Sequence, residues 1–188
     1  MEPVLIAVLA VLALVAVALV GSYNRFVRQR TLIDSSWGTV DVELSRRHDL
    51  VPNLVSTVQG YAAHERAVLD ELVRAREAAT AHQDGAPAAR AGFEQGLGTG
   101  VATVLARAEA YPELKASANF LALQQQLAET EDRIAAARRF YNLNVGAFNT
   151  RIATFPSNLV ARSFGFAARD FFELDDPSAR RAPTVSGL

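Results

Sequence analysis

The chain has 188 residues, half of them hydrophobic, with 19 basic and 20 acidic side chains and no cysteine. This near-neutral balance gives no electrostatic footing for nucleic acid, and the missing thiols exclude a disulfide framework. Nearly all the basic charge is arginine, Lys115 being the only lysine. Ala, Leu, Glu, Arg and Gln dominate the polar part, strand-like alternation is absent, and the expected class is all-α.

The first element is an apolar run, Val4 to Val20, without a charge. As a helix it spans about 25 Å at ~1.5 Å per residue, near the lower limit for crossing a bilayer core. A signal peptide would carry a basic n-region and a shorter core. Here only Met1, Glu2 and Pro3 precede the run, so it reads as an uncleaved single-pass anchor over residues 1–22. Arg25, Arg28 and Arg30 follow closely. Basic flanks stay on the cytoplasmic side, so the expectation is a plasma-membrane protein with its N-terminus outside and its domain in the cytoplasm.

Residues 23–174 are expected to form one helical domain, and 175–188, rich in Asp, Pro, Ser and Arg, a disordered tail. The first helix continues from the anchor to about Arg47, with Phe26, Ile33, Trp37, Val40 and Leu44 as its seam. One helix running from membrane into domain would couple the two mechanically. Asp49 and Pro52 suggest a turn there, with a second helix from Leu50 to Ala81. Gly85 and Pro87 end it.

A third helix is expected over Ala88–Ala110, weakened by Gly92, Gly96, Gly98 and Gly100. A fourth covers Ser117–Thr154, with a regular seam from Phe120 through Leu127, Ile134, Tyr141 and Phe148 to Ile152. Short loops between long helices imply an elongated antiparallel four-helix bundle. After Phe155-Pro156-Ser157 comes a short amphipathic segment, Asn158–Phe172. As a helix it would put Phe164 and Phe171 on one face. With Phe166 and Phe172 these are the candidate interaction or membrane-facing residues, either docked on the bundle or lying in a membrane interface.

Several of these blocks resemble the LemA family: Tyr23-Asn24 after a lone anchor, Trp37 with Asp41-Val42, and Arg46-Arg47-His48-Asp49-Leu50-Val51-Pro52-Asn53-Leu54-Val55. Tyr111-Pro112-Glu113-Leu114-Lys115, Asn119-Phe120, Tyr141-Asn142, Asn149 and Phe155-Pro156-Ser157-Asn158 extend the likeness over roughly residues 20–172. Phe148 departs from it, a Tyr being usual before the Asn. The resemblance implies a bacterial membrane protein with an N-terminal anchor and a helical domain, and no catalytic residues. Some members act in building intracellular membrane compartments of magnetic bacteria, which implies a membrane-organising role.

Chemistry is weakly represented. His48, His64 and His82 include no pair spaced as in HExxH, and His64-Glu65 is only half of that motif, so no metal is expected. Solvent-facing or capping roles suit the histidines better. Gly96-Leu97-Gly98-Thr99-Gly100 lacks both a following Gly-Lys-Ser/Thr and a preceding strand, so it reads as close helix approach rather than a phosphate cradle. Ser35-Ser36 lacks a strand-turn-helix elbow. Catalytic, cofactor and metal residues are therefore expected to be none.

Arg46, Arg47, Asp49, Pro52 and Asn53 form a candidate structural polar motif, with Arg46, Arg47 or Asp49 pairing to Glu131 or Asp132. Glu65, Thr130, Asn142, Asn144 and Asn149 are further polar groups on seams, where buried groups need partners. The expected function is a non-enzymatic membrane-anchored scaffold or adaptor, its partners the lipid bilayer and a protein partner or a second copy. The alternative is an accessory subunit of a membrane-proximal hydrolase, or a cryptic hydrolase, with residues such as His48, His64 and acidic side chains assembled across helices.

Overall fold

A computed structural model describes residues 1–61 and 65–173. The tail, Leu174 and His64 lie outside the described residues. Among the described residues every regular element is a helix: α1 (Glu2–Gln59), α2 (Arg66–Ala81), α3 (Pro87–Ala108), α4 (Pro112–Lys115), α5 (Ala118–Ala153) and α6 (Ser157–Phe164). The apolar start of α1 is long and apolar enough to cross a membrane, and none of its most apolar stretch is buried.

α1 departs from expectation by running unbroken through Asp49 and Pro52. A proline cannot donate to the carbonyl four residues back and crowds it. That carbonyl belongs to His48, and Arg76 Nε of α2 donates to it at 2.8 Å. A distant side chain thus replaces the bond the proline lacks, and the break falls after Gln59 instead.

The chain divides into two compact units. One comprises Met1–Asp41 with Ala135–Phe171; the other comprises Val42–Ile134 with the chain from Phe172 onward. In the second unit, α2 packs on α3. Its core draws Val51, Leu54 and Val58 from α1, Leu69 and Leu72 from α2, and Leu97, Val101 and Val104 from α3. Leu114 of α4 and Phe120, Leu123 and Leu127 of α5 complete it.

In the first unit, Phe26, Ile33 and Val40 of α1 are buried, as are Ala137, Tyr141, Val145 and Phe148 of α5. Trp37 is only half-buried, leaning on Tyr141 with ring centroids 5.2 Å apart. Trp37→Ala is therefore expected to cost about 2 kcal/mol, below the ~3–5 kcal/mol of a fully buried aromatic. Urea denaturation would read this as a lower midpoint, and an unchanged midpoint would remove Trp37 from the core.

The C-terminal segment is the second departure. α6 stops at Phe164 because Gly165 takes the left-handed conformation (φ 70°), and Phe166 N–H closes back on the Ala161 carbonyl at 2.9 Å. That conformation suits glycine and terminates helices. Phe164 and Phe171 therefore do not share a helical face. Residues 166–171 instead run back along the unit without helical bonds. Tyr141 Oη donates to the Asp170 carbonyl at 2.8 Å, and Asn149 exchanges two hydrogen bonds with the Arg169 backbone. Arg169 also pairs with Asp34 at 2.9 Å.

Candidate functional site: a buried charged layer and an aromatic face

The seams of the second unit contain charges where apolar residues are expected. On α1, Arg47 falls between Leu44 and Val51, and it is 1 % exposed. On α3, Arg90 and Glu94 begin a row that continues through Leu97, Val101, Val104 and Ala108, all buried. Burying a charge is costly unless it is paired and hydrogen-bonded.

Here the pairing is dense. Arg47 Nη2 donates to Glu94 Oε2 at 2.7 Å and to the Glu94 carbonyl at 2.9 Å. Its Nη1 donates to both carboxylate oxygens of Glu131, on α5, at 3.0 and 3.2 Å. His48 Nε2 lies 3.1 Å from Glu94 Oε2, and Arg90 Nη2 is 3.6 Å from Oε1. With Arg76 on the His48 carbonyl, α1, α2, α3 and α5 all contribute to one polar layer. Burial alone would raise the Glu94 pKa. Hydrogen bonds from His48 and Arg47, together with their charge, outweigh it and hold the carboxyl below its ordinary range.

The glycines of α3 are mid-helix, not a loop. A Cβ on Gly98 would stand 3.1 Å from Arg47 Nη1, and one on Gly100 would stand 3.1 Å from Leu72 Cδ1. Close approach is their role: Gly98 leaves room for the guanidinium. Gly92 and Gly96 line an open groove of about 480 Å³ together with Leu72 and Ala75 of α2.

The expected pairing of Arg47 with Glu131 is present. Arg46 is half-buried, Asp49, Pro52 and Asn53 are exposed, and the layer includes none of their side chains. Glu94 is not among the residues expected from the sequence. Its spacing from Leu97 and Val101 was the available signal. His48 corrects the expectation of solvent-facing or capping histidines, being buried against Glu94. His82 does cap α2, its Nδ1 lying 2.8 Å from the Ala78 carbonyl. Tyr111 Oη donates to Glu65 at 3.0 Å, and this bond, with some burial, raises the Tyr111 pKa. Thr130 is buried and donates to the Gln126 carbonyl. Among the described residues no three His, Asp or Glu side chains gather as a metal would need.

The four phenylalanines divide. Phe172 is fully buried. Phe166 is half-buried, stacked on Phe26 at 4.8 Å. Phe164 is 58 % exposed and touches Tyr23, with centroids 4.9 Å apart. Phe171 is partly exposed near Gly146.

The molecule is thus an all-helical protein whose first helix could cross a membrane and whose buried charges tie helices together. A family model described as the LemA family matches residues 36–186. The chain belongs to the LemA family. It is 26 % identical to magnetosome protein MamQ 2 of Paramagnetospirillum magneticum, over 89 % of this chain and 70 % of that protein. Magnetosome protein MamQ of Magnetospirillum gryphiswaldense is 24 % identical over 87 % of this chain and 70 % of its own length. Protein LemA of Metamycoplasma hominis is 25 % identical over 76 % of this chain and 65 % of its own.

Proposed function

We propose that this protein is a single-pass, membrane-anchored helical scaffold without enzymatic activity. Its domain would be an antiparallel four-helix bundle in the cytoplasm, with the N-terminus across the plasma membrane. It would organise membrane, or hold a protein partner or a second copy. One observation carries this reading. The Arg47–Glu94–Glu131 layer spends its charges on one another, which suits fixing helix register rather than turning over a substrate. The apolar start of α1, the arginines after it and the magnetosome relatives support the membrane setting.

The hydrolase reading rests on His48 beside Glu94, a histidine–carboxylate pair of general-base type. The same Oε2 accepts from Arg47 at 2.7 Å, so the carboxylate is committed elsewhere, and that reading ranks second.

Membrane fractionation tests the leading one. The full chain should stay in the pellet after alkaline carbonate, and a version lacking residues 1–21 should be released. In-cell crosslinking and mass spectrometry should then recover either one recurrent protein or the chain itself with lipid. A full chain found in the soluble fraction would overturn the proposal.

A further inference from the structure

α1 and α5 run antiparallel within the first unit, and two ring contacts set their register. Trp37 meets Tyr141, and eleven residues nearer the apolar stretch Phe26 meets Phe148 edge-on at 5.9 Å. Carried to the end of α5 at Ala153, these pairs place that end level with residues 21–25, directly after the apolar stretch. The corner between α5 and α6 therefore stands beside the end of the apolar stretch. Contact of Tyr23 with Phe164 and Phe166 brings the far end of α6 to the same level.

That corner is apolar on the outside and basic around it. α6 buries Val160 and Ala161 and exposes Leu159 (53 %) and Phe164, while Phe155 is 74 % exposed. Residues 21–33 carry Arg25, Arg28 and Arg30, and residues 145–168 carry Arg151 and Arg162, with no Asp or Glu in either stretch. Arg151 lies over the Phe26 ring, 5.7 Å from its centroid, and its Nε is buried with no hydrogen-bond partner among the described residues. Burial, and then the adjacent charge of Arg25, pulls the Arg151 pKa below its usual range. A cationic pair with an unused donor is suited to a phosphodiester. Exposed aromatic and aliphatic side chains at the end of an anchor are suited to the headgroup boundary.

The geometry points to a second membrane contact: the α5–α6 corner seats in the bilayer interface beside the anchor, Phe155, Leu159 and Phe164 entering the acyl boundary and Arg25, Arg151 and Arg162 holding anionic phospholipid headgroups. This rests on the first helix being a membrane span. An anchor with one contact point tilts freely, whereas two contacts fix how the first unit stands on the surface.

The chain has no cysteine, so single cysteines can carry an environment-sensitive fluorophore on the full-length protein. Labels at Leu12, Thr39, Phe155 and Leu159, all exposed, are read in phosphatidylcholine vesicles with and without phosphatidylglycerol, using acyl-chain nitroxide lipids as quenchers for position 12, at mid-span, and headgroup-side nitroxide lipids for the others. Quenching at 155 and 159 should exceed that at 39 several-fold and increase with phosphatidylglycerol. The increase should vanish in the R25Q/R151Q variant. Quenching at 12 but not at 155 or 159 would overturn the second contact and leave the anchor standing. No quenching at 12 would overturn both. Blue-shifted, unquenched labels at 155 and 159 would mean burial against a second copy and also overturn it. Equal quenching in both lipid compositions would overturn the headgroup assignment.

Discussion

Arg47→Ala should destabilise the second unit by about 3–5 kcal/mol, the usual cost of removing one partner from a buried ion pair. The cost arises from what remains: Glu94, 1 % exposed, would lose two hydrogen bonds from the guanidinium and keep its charge. Against a typical total stability of roughly 5–15 kcal/mol, that loss approaches unfolding. Replacing Arg47 by Met and Glu94 by Leu together should recover part of it, because no buried carboxylate is left behind although Arg90 loses Glu94 as an ion partner. Thermal melts of the three proteins check the ordering.

The same pair fixes a pH dependence. A carboxyl held below its ordinary pKa in the folded state contributes stability that is complete above the unfolded pKa and lost as pH falls through the folded one. The parent should therefore lose stability on acidification more steeply than Glu94→Gln, which lacks that titration. Parallel slopes for the two proteins would mean that Glu94 is not held as a carboxylate.

Phe26→Ala should have the comparable effect in the first unit, costing about 3–5 kcal/mol as a fully buried aromatic. Its ring meets Phe148 edge-on and stacks on Phe166 at 4.8 Å. Removing it deletes the platform on which the chain after Gly165 rests. Limited proteolysis should then cut residues 166–171 well before the rest of the first unit, with Asn149, Tyr141 and Asp34 as the remaining polar ties. Phe26→Leu, which fills most of the volume, should restore much of the protection. Equal cleavage rates for parent and Phe26→Ala would place the ring outside that role.

The long seams were legible because their cause is local. Phe120, Leu123, Leu127, Ile134, Tyr141, Val145 and Phe148 recur at helical spacing, and all are buried. What escaped has causes that periodicity does not carry. Pro52 signals a helix break to its neighbours, but the side chain that makes it tolerable is Arg76, on another helix. Glu94 reads as surface charge until its place in the α3 row is compared with Arg47 in the α1 seam. Gly165 is a stop signal inside an amphipathic pattern, and the spacing of the phenylalanines continues across it as if the helix did. The Arg47–Glu131 partnership was accessible because both polar residues interrupt or border regular seams, whereas nothing local tied either to Glu94.

The charged layer also decides which helices can be exchanged. Sliding α3 by one turn would carry Glu94 about 5.4 Å away and bring Gly98 or Arg90 toward the Arg47 guanidinium, offering it either nothing or a like charge. A helix of unrelated sequence that presents a leucine at that height would strand the arginine in the same way. An identical α3 supplied by another copy of this chain would satisfy Arg47 as fully as its own. Lodged in the core, the layer admits kin and rejects strangers, a selectivity that hydrophobic seams alone do not possess.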